Sequence, residues 1–121
     1  MDVKPSVLIV EDEFLQQTMA SELVEEAGFE VIEASNADEA IRILEERDDI
    51  VLIVTDIDMP AGSMNGLRLA AKVKRRWPPI QIIVVSGHYR VTDADLPADS
   101  VFLPKPYQSE QLIAHIHRMV A

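Results

Sequence analysis

The chain has 121 residues, 48% of them hydrophobic, which is enough for one domain with its own core and too few for a second. Twenty-one acidic residues against 11 basic ones give a net charge of −10, which disfavours nucleic acid and anionic membranes and points to proteins and cations as partners. No cysteine is present, so disulfides, thiolate metal sites and cysteine nucleophiles are excluded. The longest apolar runs reach about a quarter of a membrane span, and the start Met1-Asp2-Val3-Lys4-Pro5 has no hydrophobic signal region, so a cytoplasmic protein is expected. Without a linker, repeat or low-complexity segment, residues 1–121 read as a single domain with no attached output module.

The first apolar run, Ser6-Val7-Leu8-Ile9-Val10, reads as a strand and ends in Glu11 and Asp12, where a helix should begin. Residues 13–27 place Leu15, Met19 and Leu23 at helical spacing and stop at Gly28, a natural residue just past a helix end. Residues 29–34 alternate partly, with Glu30 and Glu33 around Val31 and Ile32, as a half-exposed strand does. Ser35 and Asn36 are good caps for a second helix whose Ala37, Ala40, Ile41 and Leu44 share a face. The run Ile50-Val51-Leu52-Ile53-Val54-Thr55 has the pattern of a strand buried on both faces, and it closes on Asp56, with Asp58, Met59 and Pro60 just beyond. Asn65 and Gly66 open a third helix carrying Leu67, Ala70 and Ala71, which Trp77-Pro78-Pro79 ends. Residues 80–85 form a fourth strand and 101–103 a short fifth. A last helix over 109–120 turns Leu112, Ile113, Ile116 and Met119 inward. Between the fourth and fifth strands, Asp93-Ala94-Asp95-Leu96-Pro97 leaves little room for a regular fourth helix, because Pro97 blocks continuation.

This alternation predicts an α/β fold: a doubly wound, five-stranded parallel sheet with helices on both faces and a short or irregular fourth helix. Ligands in such sheets bind outside the carboxyl ends of the strands. If the first and third strands are neighbours, which favours the order 2-1-3-4-5, then Glu11, Asp12 and Asp56 converge there. Two like charges about 4 Å apart repel by roughly 4 kcal/mol at an effective dielectric near 20, so three bare carboxylates are costly unless a cation joins them. A hard divalent ion such as Mg2+ suits a few carboxylate oxygens completed by water and phosphate. The fourth strand ends in Ser86-Gly87-His88 and the fifth leads into Pro104-Lys105-Pro106-Tyr107, adding a hydroxyl and an amine to the same edge.

An acidic pair, an aspartate, a hydroxyl and a lysine, in this order at the ends of successive strands, resemble the receiver domain of two-component response regulators over essentially the whole chain. The resemblance implies the flavodoxin-like strand order 2-1-3-4-5. It implies that Asp56 is the phosphoacceptor, taking a phosphoryl group from a sensor histidine kinase or histidine phosphotransfer protein. It implies that Glu11, Asp12, Asp56 and the backbone carbonyl of Asp58 hold Mg2+, for which Mn2+ can substitute. Lys105 would pair with the phosphoryl group, and its bond to Pro106 matches one that is cis in this family. Ser86 and Phe102 match the pair that converts phosphorylation into a new surface around the fourth helix, fifth strand and last helix. Tyr107 reads as a packing residue. Asp58 and His88 match rim positions that influence loss of the phosphoryl group to water. Such a protein assists its own phosphorylation without being a conventional enzyme, and acts on a downstream protein target or through a homodimer.

Three features depart from the family pattern. Glu11 stands where Asp is commoner, the loop from Met59-Pro60 to Gly66 is about two residues longer than usual, and the span from Ser86 to Lys105 is short. Two rivals share part of the pattern: a receiver-like adaptor that works without phosphorylation, and a haloacid-dehalogenase-like phosphatase, whose nucleophile motif Thr55-Asp56-Ile57-Asp58 resembles. The acidic pair upstream, on the first strand, argues against the phosphatase. Lys72-Val73-Lys74-Arg75-Arg76-Trp77 reads as the solvated end of the third helix, where positive charge complements the helix dipole. His115 and His117, two apart on a helix, do not face one another and disfavour a shared metal.

Overall fold

The computed structural model describes residues 5–59, 62–87 and 91–120. Its strands are β1 (Ser6–Val10), β2 (Glu30–Ala34), β3 (Ile50–Asp56), β4 (Gln81–Ser86) and β5 (Val101–Pro104), and its helices are α1 (Phe14–Glu26), α2 (Ala37–Glu46), α3 (Gly66–Arg76) and α4 (Ser109–Val120). All strand pairings are parallel, in the order β2-β1-β3-β4-β5, as expected from the sequence. The register aligns Val10 with Thr55 and Asp56 with Val85, so the ends of β1, β3 and β4 lie level and their next residues share one rim.

Period-two alternation divides the core into two layers. Leu8, Val10, Ile53, Ile82 and Val84 pack with Ala40, Leu44, Leu69 and Val73 of α2 and α3. Val7, Ile9, Leu52, Val54, Ile83 and Val85 pack on the other face with Ala20 and Val24 of α1 and Leu112 and Ile116 of α4. Burying each such Leu, Ile or Val side chain is worth about 1.5–3 kcal/mol, which makes the central strands the rigid part of the molecule. The edge strand β2 has Glu30 and Glu33 exposed and Val31 and Ile32 half-buried, in line with its partial alternation.

The expected short fourth helix is also found: between β4 and β5 the described residues contain only a three-residue 3-10 turn, Asp93–Asp95. Gly28 adopts φ +101°, the left-handed conformation that glycine tolerates at a helix end.

Helix α1 turns much of its apolar stripe outward. Leu15, Met19 and Leu23 do share a stripe, but Leu15 is 61% and Met19 57% exposed, and the neighbouring Phe14 is 77% exposed. The buried face is Gln17, Ala20, Ser21 and Val24. Its polar members find partners at the sheet: Gln17 Nε2 donates to the carbonyls of Glu11 and Ala34, each at 3.1 Å, and Ser21 Oγ donates to Glu33 Oε2 at 2.6 Å. A hydrophobic period therefore identifies the helix but not the face it buries. Ala70 is buried as expected, but Ala71 is exposed, and Leu69 and Val73 complete the inward face of α3.

The start of α3 lies hard against the end of β3. Gly66 N donates to Ile57 O at 2.9 Å, and a Cβ on Gly66 would stand 1.9 Å from the Asp56 carbonyl oxygen and 2.8 Å from Ile57 Cα. Backbone on both sides leaves no flexible side chain to yield. Gly66→Ala is therefore expected to lower stability by about 1–3 kcal/mol through overpacking, read as a lower urea midpoint with an unchanged m-value.

Candidate functional site

β1 and β3 deliver Glu11, Asp12 and Asp56 to the same rim. One oxygen from each lies within 4.8 Å of the others. Glu11 and Asp56 are 6% and 7% exposed, while Asp12 faces solvent. Lys105, following β5, extends Nζ to 3.2 Å from Asp56 Oδ2 and 3.3 Å from Glu11 Oε2. Gln16 Oε1, from the first turn of α1, accepts a third hydrogen bond from the same ammonium. The Asp58 backbone N–H points to Asp56 Oδ1 at 3.4 Å, a long contact. The resulting open cleft has a volume of about 320 Å³ and is lined by these groups with Gly87.

Three carboxylates face one ammonium, and the electrostatics reflect it. Burial is the main cause, and the negative charge of Asp56 the next, that pushes Glu11 up to about 7, opposed in part by Lys105. Burial alone would depress Lys105, but Glu11 and Asp56 outweigh it and hold its pKa above the usual lysine value. The donor set is all hard oxygen with surplus negative charge, which fits a small divalent cation such as Mg2+.

Ser86 is 2% exposed at the end of β4, one residue beyond the partner of Asp56 in register, and its carbonyl accepts Lys105 N–H at 2.9 Å. Phe102 is half-buried on β5, pairs with Val84 and packs against the α2/α3 layer. The Lys105-Pro106 peptide is cis. Tyr107 packs against the α1/α4 layer, and burial raises its pKa. The side chain of Asp58 is exposed at the rim; His88, the other expected rim residue, lies outside the described residues, as do Pro60 and Ala61 of the long loop. The described end of that loop is tied to α2, with Ser63 N–H donating to Asp38 Oδ2 at 3.0 Å.

Sequence reasoning missed Gln16 and Gln17. A Gln-Gln pair four residues after an acidic pair, in the first turn of a helix, was the available signal, but only the fold brings Lys105 to it. The other flagged groups stay apart from the cleft. The His117 ring lies tilted against Phe29 with centroids 5.4 Å apart, His115 contacts Arg118, and Arg76 pairs with Glu45 at 2.9 Å while lying 4.3 Å over the Trp77 ring.

The profile of the response regulator receiver domain matches residues 7–117. The chain belongs to that family. Among curated relatives, this receiver domain is 34% identical over 119 residues to the sensor kinase CckA of Brucella abortus, covering 95% of the chain but only 12% of the kinase. It is 30% identical to the response regulator receiver protein CpdR of the same organism, covering 94% of the chain and 95% of CpdR. Among solved structures, the response regulator TrrA of Thermotoga maritima, in complex with Mg2+ and BeF, superposes with a TM-score of 0.84 at 25% identity over 95% of this chain and 98% of that one. Membership in a phosphoacceptor family of two-component signalling replaces the phosphatase rival. No helix among the described residues is long and apolar enough to cross a membrane.

The raised Glu11 pKa sets a pH dependence. The folded state holds this proton more tightly than the unfolded chain, so Glu11 costs stability increasingly as pH rises from about 4.5 to about 7, with no further change above. In metal-free buffer, Glu11→Gln should raise stability at pH 8 by up to about 3 kcal/mol, at ~1.4 kcal/mol per pKa unit, and leave it unchanged near pH 4. Urea unfolding at the two pH values measures this difference.

Proposed function

We propose that this receiver domain accepts a phosphoryl group on Asp56 from a phosphohistidine of a sensor histidine kinase or histidine phosphotransfer protein, with Mg2+, and thereby changes which protein it binds. The observation that carries this reading is the meeting of Asp56, Glu11 and Asp12 within 4.8 Å with Lys105 Nζ 3.2 Å from Asp56 Oδ2. The Asp56 carboxylate forms the new O–P bond as the N–P bond of the phosphohistidine breaks, and the released imidazole keeps the electron pair and takes up a proton. Phosphoryl transfer needs mainly positioning and charge stabilisation, so few groups suffice. Lys105 meets the charge on the phosphoryl oxygens. Mg2+, or Mn2+ in its place, would be held by the carboxylates of Glu11, Asp12 and Asp56 with the Asp58 carbonyl, and would supply the remaining neutralisation.

Glu11 must be ionised to serve as a ligand, so its elevated pKa makes cation binding weaken as pH falls below about 7. Ser86 and Phe102 are the groups through which the new charge reaches the surface, by the hydroxyl turning to the phosphoryl group and the ring repacking on β5. Because the fourth crossover is reduced to a 3-10 turn among the described residues, the altered surface centres on β5 and α4. The domain assists this chemistry on itself and does not turn over a separate substrate. A partner would approach over Phe14, Leu15 and Met19, the exposed large hydrophobics of α1, of which Met19 lines a groove that shares Gln16 and Lys105 with the cleft.

Intact mass after incubation with acetyl phosphate tests the reading. The parent should gain one phosphoryl group only when Mg2+ is present, and Asp56→Asn should gain none. Failure of the folded parent to gain mass with either acetyl phosphate or a phosphorylated histidine phosphotransfer protein would overturn it. Leu15→Asp combined with Met19→Asp should leave labelling by acetyl phosphate within about twofold and slow transfer from the protein donor by at least tenfold, about 1.4 kcal/mol of lost docking energy.

A further inference from the structure

We propose that Gln16 is a positioning residue for Lys105, which deepens the phosphoacceptor reading and rests on it. Glu13 is the N-cap: its side chain accepts from Leu15 N at 3.3 Å and from Gln16 N at 2.7 Å, so the backbone of Gln16 is fixed. Gln16 is the third helical residue, where a Gln side chain ordinarily reaches back to the N-cap backbone N–H. Here that N–H is already taken, because Glu13 N donates to Glu11 Oε1 at 3.3 Å. The Gln16 carboxamide is therefore released from capping and turns across the cleft to Lys105 Nζ.

A lysine ammonium has three N–H donors and a stem of four methylenes that gives it little intrinsic direction. Glu11, Asp56 and Gln16 supply one acceptor each. Two of these acceptors change role during the proposed reaction: Asp56 becomes the phosphoryl ester, and Glu11 turns to the cation. Gln16 is neutral, binds no cation in the proposed set, and sits on a capped helix end, so of the three acceptors among the described residues it is the one that keeps its role from the free state to the phosphorylated one. It does this without adding negative charge to a cleft that already has an excess. Gln16 is itself exposed and borders both the acidic cleft and the apolar groove of about 450 Å³ beside Met19 and Leu23.

The test compares the parent with Gln16→Leu, which removes the acceptor while keeping size and helix propensity, and with Gln16→Glu, which keeps an acceptor oxygen at the same reach. The first readout is the hydrogen exchange of the Lys105 ammonium in 15N-lysine-labelled protein, which needs neither phosphodonor nor Mg2+. The parent should show a slowly exchanging Lys105 signal, Gln16→Leu should lose it, and Gln16→Glu should retain it. The second readout is the rate of mass gain from acetyl phosphate at saturating Mg2+, expected to fall about tenfold in Gln16→Leu and to recover in Gln16→Glu, with the urea midpoint unchanged throughout. A protected Lys105 signal in Gln16→Leu, or a rate within twofold of the parent, overturns the proposal. If the parent takes up no phosphoryl group, the phosphoacceptor reading fails by itself, while the exchange measurement still decides whether Gln16 holds Lys105.

Discussion

Three carboxylates held together at one sheet edge against, among the described residues, a single ammonium are the condition on which the rest of the structure turns. Packing Glu11, Asp12 and Asp56 within 4.8 Å is unfavourable in itself, and burial first, with the charge of Asp56 next, raises Glu11 to about 7. The burial energy of β1, β3 and β4 holds the residues there regardless, because moving any one of them would break the register of a strand buried on both faces. The fold thus stores a demand for positive charge at its rim. Lys105 meets part of that demand, and the remainder is the surplus negative charge that suits the cleft to a small cation.

Around this cluster, the local structure is arranged to position groups rather than to enclose a ligand. Gly66 lets the start of α3 come up against the Asp56 carbonyl, where any side chain would collide with backbone. Gln17 ties the end of β1 to the end of β2 through two carbonyls, which steadies the strand from which Glu11 and Asp12 project. Glu13 caps α1 with its side chain while its backbone N–H serves Glu11, so one residue orders both the helix and the acidic pair. The cleft stays open, as a site must if its phosphodonor is a group on another protein.

The same economy explains the odd rotation of α1. Burying Gln17 and Ser21 costs little because each has a partner at the sheet, and it leaves Phe14, Leu15 and Met19 in solvent, with Met19 lining the groove next to the cleft. Apolar surface left exposed next to a reactive group is a feature of docking faces. The fourth crossover is short by contrast: among the described residues it holds only the 3-10 turn Asp93–Asp95, between the strand that ends in Ser86 and the strand that carries Phe102.

The sequence by itself determined the five strands, the four helices with their approximate ends, the lack of a regular helix among the described residues between β4 and β5, and the residues Glu11, Asp12, Asp56, Ser86 and Lys105 as the polar ends of apolar runs. These are legible because they depend on local properties: period-two and period-3.6 alternation, caps such as Asn36 and Asn65, and a proline at 97. Which face α1 buries was decided only in the tertiary structure, because the choice between Leu15-Met19 and Gln17-Ser21 rests on carbonyls and a carboxylate contributed by β1 and β2. The role of Gln16 was decided there too, since its partner lies 89 residues away in the chain, as was the rise in the pKa of Glu11, which needs Asp56 beside it and a buried setting around it. Periodicity records how much of a residue is apolar along its own element; it carries no information about which polar groups another element will bring within reach.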